Sequence, residues 1–208
     1  MNKKYIVGIS LLVLLFFAAM AMLYYSGTHL KNMQINKAAL TSDEKAVFDL
    51  TKTNSGGEIF EFRVDPDKVK VLTVSQEELT ATGRWKTVSS TYMKITPKNS
   101  YSRIYVYLDP ERGSWVSMGG IGHMVATGDQ TSREKEFEKY ECFSDFLNRP
   151  TTIVPDRHQI LMMKSYNLKG EFSGGNIYEY YHTKALLKEN IKTVAVTATF
   201  GSRLLKGM

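Results

Sequence analysis

Between Tyr5 and Tyr25 the chain reads YIVGISLLVLLFFAAMAMLYY, without one charged side chain. Roughly 20 residues of helix, rising ~1.5 Å each, cross the ~30 Å hydrocarbon core of a bilayer. The run therefore predicts one membrane-spanning helix over 5–25. Tyr5 at one end and Tyr24 and Tyr25 at the other match interfacial aromatic anchors. Residues 1–4 carry Lys3 and Lys4, which with the terminal amine favour a cytoplasmic tail; Lys31 and Lys37 on the far side weaken that bias. The competing reading is a cleaved signal peptide, since the run ends in AMA at Ala21, a small-x-small pattern. Against it, the run is long for an apolar core of about 7–15 residues. No cysteine stands near the end of the run, so a lipoprotein cleavage site is absent from it. Either way the bulk of the chain is expected outside the cytoplasm, tethered to a cell or mitochondrial inner membrane and exposed to a periplasm or its equivalent.

Export gives meaning to the cysteine count. The chain has one, Cys142, so no internal disulfide is available and the exported part must fold on its core alone. A lone thiol in an oxidising compartment is a liability unless it is buried or held by a ligand. Its ordinary role beside Tyr140 and Phe143 is an inert core thiol. The chain has 27 basic and 21 acidic residues, a net charge of +6. The basic residues are scattered, which fits mild attraction to anionic lipid or an acidic partner and argues against nucleic acid.

Residues 26–57 read as a linker with a short helix, for which Thr41 or Ser42 is the N-cap. NSGG at 54–57 breaks the chain, and from Glu58 the signals are strand signals. Alternating or β-branched stretches run over Glu58–Val64, Lys68–Val74, Ser90–Thr96, Ser102–Leu108, Ser114–Met118, His158–Tyr166 and Thr193–Phe200, divided by DPD, PKNS and DPERG turns. NIYEYYHT is ambiguous, ALLKEN suits a helical turn, and the charged TSREKEFEKYE stretch suits a solvated face, either helix or edge strand. About seven short strands at regular spacing predict an all-β antiparallel sandwich over 58–203.

No enzyme constellation stands out. The four histidines, His29, His123, His158 and His182, form no metal-spaced pair, and no G-x-S-x-G elbow occurs. GGIG at 119–122 lacks the third glycine of a dinucleotide loop and reads as a bulge at a sandwich rim, with His123 beside it a rim residue. No acid–base pair or nucleophile–base set can be named, so a non-enzymatic role is expected.

From Trp85 onward the order of segments resembles the copper-delivering cytochrome c oxidase assembly family, the CtaG type. Trp85, Pro97, RIYVYLD and GGIG stand at comparable spacing, followed by FEKYECFSDF, in which Phe137, Lys139, Cys142 and Phe143 keep step with the family's cysteine motif. IVP at 153–155, ILMMKSY and the closing TVAVTATFG complete the series, so the resemblance covers Trp85 to Gly201. It implies a short cytoplasmic tail, one transmembrane helix and an immunoglobulin-like β-sandwich on the outer side. It also implies Cu(I) as cargo and a heme–copper oxidase subunit, or another membrane complex, as partner.

The chain departs from the family at the metal itself. The family motif supplies two cysteines one residue apart; here the first is Cys142 and the second position is Ser144. Soft Cu(I) selects sulfur, and a serine hydroxyl is a hard, poor ligand. Asp145 replaces the second phenylalanine, with Phe146 one place later. Three readings follow. Cys142 binds Cu(I) with the same residue of a second copy, in a homodimer, or with a thioether from Met118, Met124, Met162 or Met163. Alternatively the domain has lost the metal and serves as a structural or accessory subunit of a respiratory complex. In the third reading only the sandwich is shared, and the chain is an envelope-binding module. The methionines have a plainer role as core packing.

Overall fold

In the sequence EIFEFR, Phe60 and Phe62 alternate with Glu61 and Arg63, and a strand turns successive side chains to opposite faces. The structure, a computed structural model, describes residues 30–45, 57–109, 113–118, 124–127, 141–167, 177–182 and 190–204. In it Phe60 and Phe62 are fully buried and Arg63 is exposed. The same logic builds eleven strands: β1 Gln34–Lys37, β2 Glu58–Arg63, β3 Val71–Leu79, β4 Trp85–Lys94, β5 Tyr101–Asp109, β6 Gly113–Met118, β7 Met124–Thr127, β8 Glu141–Phe146, β9 Thr151–Thr152, β10 His158–Asn167 and β11 Asn190–Gly201. One helix, α1 Ile177–His182, stands between β10 and β11.

The strands form two sheets. The first runs β7-β6-β5-β2-β1-β9 and the second β4-β3-β11-β10-β8. Every pairing among the described residues is antiparallel. Their apolar faces meet in one core, to which the first sheet contributes Ile35, Phe60, Phe62, Ile104, Val106 and Leu108. Leu72, Val74, Leu161, Val194, Val196 and Phe200 come from the second. Phe62 meets Phe200 edge-on across the gap, ring centroids 5.3 Å apart. The expected all-β sandwich is therefore the observed architecture.

The sandwich begins earlier than Glu58. QINK, assigned to the linker from its polar composition, is an inner strand hydrogen-bonded to β2 on one side and β9 on the other. Ile35, its one large apolar residue, is completely buried. The compact unit starts at Asn32. Two other strands are longer than or displaced from their expected positions: β3 continues through the polar QEEL, and β4 starts at Trp85.

Thr41, not Ser42, opens the helical turn at 42–45. Its N–H donates to Glu44 Oε2 at 2.9 Å while the Glu44 N–H donates to Thr41 Oγ1 at 3.3 Å. This reciprocal pair is a capping box. Glu44 Oε1 also accepts from Arg103 on β5 at 2.6 Å, which fastens the turn to the first sheet.

The apolar run 5–25 with Tyr5, Tyr24 and Tyr25, the GGIG segment with His123, the charged stretch up to Tyr140 and residues 185–189 of ALLKEN lie outside the described residues. Among the described residues no helix is long and apolar enough to cross a membrane.

One end of the sandwich is closed by four interlocked loops. Val64 N–H donates to Ser100 O, Lys70 N–H to Gly201 O, Ile95 N–H to Lys70 O and Ile153 N–H to Met33 O. Asp156, at φ 63°, donates its N–H to Phe200 O and receives both the N–H and the hydroxyl of Ser202 on its carboxylate. Asp residues tolerate that left-handed backbone better than most. The two bonds from Ser202 hold the Asp156 carboxyl below the usual carboxylate range.

Candidate functional site

The segment that the resemblance places at the metal is β8. It is a strand rather than a helix, and it forms an edge of the second sheet, pairing with β10. Cys142 stands opposite Tyr166, Ser144 opposite Lys164 and Phe146 opposite Met162. The side chain of Cys142 lies outside the described residues, as does that of Met124 on β7. Ser144 is exposed. Phe143 packs on the outer face of the sheet, and Phe146 packs against the inner core with Lys37 Nζ 4.1 Å from its ring centroid.

Asp145, beside Ser144 on β8, is committed to holding α1. Its Oδ2 accepts the Ile177 N–H at 2.8 Å, so the carboxylate holds the first residue of α1 onto the sheet. Its Oδ1 accepts the Phe146 N–H at 2.8 Å. A phenylalanine could do neither.

A two-coordinate Cu(I) site needs two soft donors converging on one point. Met118 and Met162 are packed in the core between the sheets, while Met163, the next residue along β10, is fully buried on the opposite face. Each serves as core packing, and Ser144 offers only a hard hydroxyl. Among the described residues there is also no group of three or more His, Cys, Asp and Glu that could hold a metal.

The more elaborate constellation is the one α1 completes on the outer face of the second sheet. Ile177 and Tyr181, one helical turn apart, reach the sheet together. There they join a cluster of Ile160, Met163 and Ala195 with Leu79, Trp85 and Phe143 around it. The Trp85 indole stacks on the Tyr181 ring at 4.7 Å and 13°, and its Nε1–H donates to the Tyr181 carbonyl at 3.1 Å. The Tyr181 hydroxyl donates to Glu77 Oε2 at 2.6 Å. Burial, and then the Glu77 carboxylate that the hydroxyl faces, push the Tyr181 pKa well above the usual phenol range. Glu77 is only 5% exposed. The hydroxyl stays protonated and donates to the carboxylate, so this bond is a clamp holding α1.

Hydroxyls line the rest of that face. Ser75 and Ser90 share a hydrogen bond at 2.9 Å, and Ser165 and Thr193 another at 2.6 Å. Of the two described histidines, His158 is hydrogen-bonded to Thr199 Oγ1 at 3.1 Å and His182 packs on the exposed Tyr178 ring at 4.3 Å. They do not form a metal pair. Glu77 and Tyr181 carry no signal in the sequence: they lie 104 positions apart, and only the topology brings them together. Trp85 was singled out as a marker of resemblance; its structural work is to stack under Tyr181.

No family model matches the chain, and no curated protein or solved structure is significantly similar to it.

Proposed function

We propose that the chain is a membrane-anchored assembly partner of a heme–copper oxidase or another membrane complex, with an immunoglobulin-like extracytoplasmic domain whose copper site has degenerated. In this reading residues 5–25 cross the membrane, the tail 1–4 stays in the cytoplasm, and the sandwich carries out the docking. The observation that supports it best is the state of β8. The motif segment keeps its place on an edge strand, yet Ser144 is exposed where the family has its second thiolate, and Asp145 is committed to α1. Of the described thioethers, Met118 and Met162 are packed in the core between the sheets and Met163 in the cluster on the outer face. With one thiolate per chain, Cu(I) would need a second soft donor, from a second copy of Cys142 or from a thioether. A sandwich domain with one cysteine, and a serine at the second motif position, is what supports a docking role.

Crosslinking in intact membranes tests the proposal. The full chain, captured after crosslinking, is expected to bring heme–copper oxidase subunits with it. Recovery of an unrelated envelope component in their place would favour an envelope-binding module. Recovery of oxidase subunits by the wild type but not by Cys142→Ser would return the account to copper delivery.

A further inference from the structure

The end of the sandwich closed by the four interlocked loops is also the end at which the chain enters the domain. Asn32 and Met33 lie there, with the Met33 carbonyl accepting from Ile153 and its Sδ accepting the Asp65 N–H at 3.4 Å. The same end exposes Arg63, Lys68, Lys98, Arg157 and Arg203. Its exposed anions are Asp67 and Asp156, and Asp156 is already engaged by Ser202. Lys68 lies 3.8 Å from the half-buried Asp65. No ion pair among the described residues engages Arg63, Lys98, Arg157 or Arg203. Three large side chains stand out among these cations: Tyr101 at 54% exposure, Leu204 at 43% and Val154 at 40%. Cations interleaved with an aromatic and aliphatic residues make a surface suited to a headgroup layer, where chains with charged tips and apolar bodies settle.

We infer that this end of the sandwich rests on the anionic lipid surface of the membrane in which the chain is anchored. The inference builds on the anchor reading of 5–25. The stretch from 26 to 31 reaches at most about 20 Å when fully extended. The headgroup layer takes up roughly 5–8 Å of that. The entry point of the domain is thus held within one or two Debye lengths, about 8–10 Å each, of the negative surface, and the cations of the same end stand beside it. An acidic protein partner would also suit the charges, but a protein is not obliged to be within tether reach, whereas the bilayer always is. Held this way, the sandwich presents its opposite end and its sheet edges outward, with α1 and β8 fixed at a set height above the bilayer.

The test uses the full chain in nanodiscs of phosphatidylcholine alone or with phosphatidylglycerol added. The acylation rates of Lys68 and Lys98 by a water-soluble amine reagent are followed by mass spectrometry. Lys86, exposed near the start of β4 and away from this end, is the internal reference. With the anionic lipid, Lys68 and Lys98 should react about threefold more slowly or less, while Lys86 does not change. The difference should vanish at about 1 M salt, where the Debye length falls to ~3 Å. The variant Arg157→Glu/Arg203→Glu should lose most of the protection. Equal rates in both lipids, in a chain that resists alkaline carbonate extraction, overturn the lipid contact and leave the anchor standing. Release by carbonate overturns the anchor, and the lipid contact with it.

Discussion

Tyr181 donates its hydroxyl to the buried carboxylate of Glu77 at 2.6 Å, and this one bond ties α1 to β3 across 104 positions of sequence. Tyr181→Phe removes the donor and leaves the carboxylate short of a partner in a site that is 5% exposed. Stranding a buried polar group costs roughly 1–3 kcal/mol. Chemical denaturation of the variant should show a loss of that size, with α1 amides exchanging faster than those of β11.

The same bond sets an alkaline limit. The folded pKa of Tyr181 lies above its unfolded value, so the stabilisation is complete below the unfolded pKa of about 10. It is lost as pH rises toward the folded pKa. Stability of the wild type should therefore fall from about pH 10 upward more steeply than that of Tyr181→Phe. Parallel curves would contradict the clamp.

Glu44 behaves in the opposite sense. The Thr41 N–H and then the Arg103 guanidinium lower its pKa from 4.5 to about 2. What it adds to the 41–45 turn is present above pH 4.5 and disappears as pH falls toward about 2. Because the backbone donor is the larger cause, Arg103→Gln should raise the midpoint but leave it below 4.5. Carboxyl chemical shifts followed through an acid titration measure this.

The early strand makes a prediction that the sequence would not. Ile35 is fully buried between β2 and β9 in the strand pairing, although it sits in a stretch that reads as linker. Ile35→Ala should cost about 2–5 kcal/mol, as a core truncation does. A linker residue would cost almost nothing. A thermal or denaturant melt of the variant separates the two.

Why QINK is invisible while TVAVTATFG is plain comes down to how much pattern each carries. β11 offers Val194, Val196, Ala198 and Phe200 at period two, all buried on the inner face. β1 offers Ile35 alone, and its place in the sheet is set by neighbours distant in sequence. IYEYYH could be either strand or helix by composition. It is a helix because Ile177 and Tyr181 at four-residue spacing fill the cluster over Met163 and Ala195, while Tyr178 faces out. ECFSDF, left open between helix and edge strand, is a strand because β10 pairs with its whole length. QEEL is polar for a strand, and Glu77 is buried there with the Tyr181 hydroxyl donating to it. Cys142 and Ser144 lie on β8, an edge strand paired with β10. Met162 and Met163 are consecutive in a strand and face opposite ways, one into the core between the sheets and one into the outer cluster.

The proposed docking role does not depend on the Cys142 thiol. Solubilised in mild detergent, the full chain and its Cys142→Ser variant should retain the same quantity of heme–copper oxidase subunits, measured by quantitative mass spectrometry of the purified complexes. Comparable recovery with the two proteins is the predicted result. Recovery that collapses when the thiol is removed would contradict it.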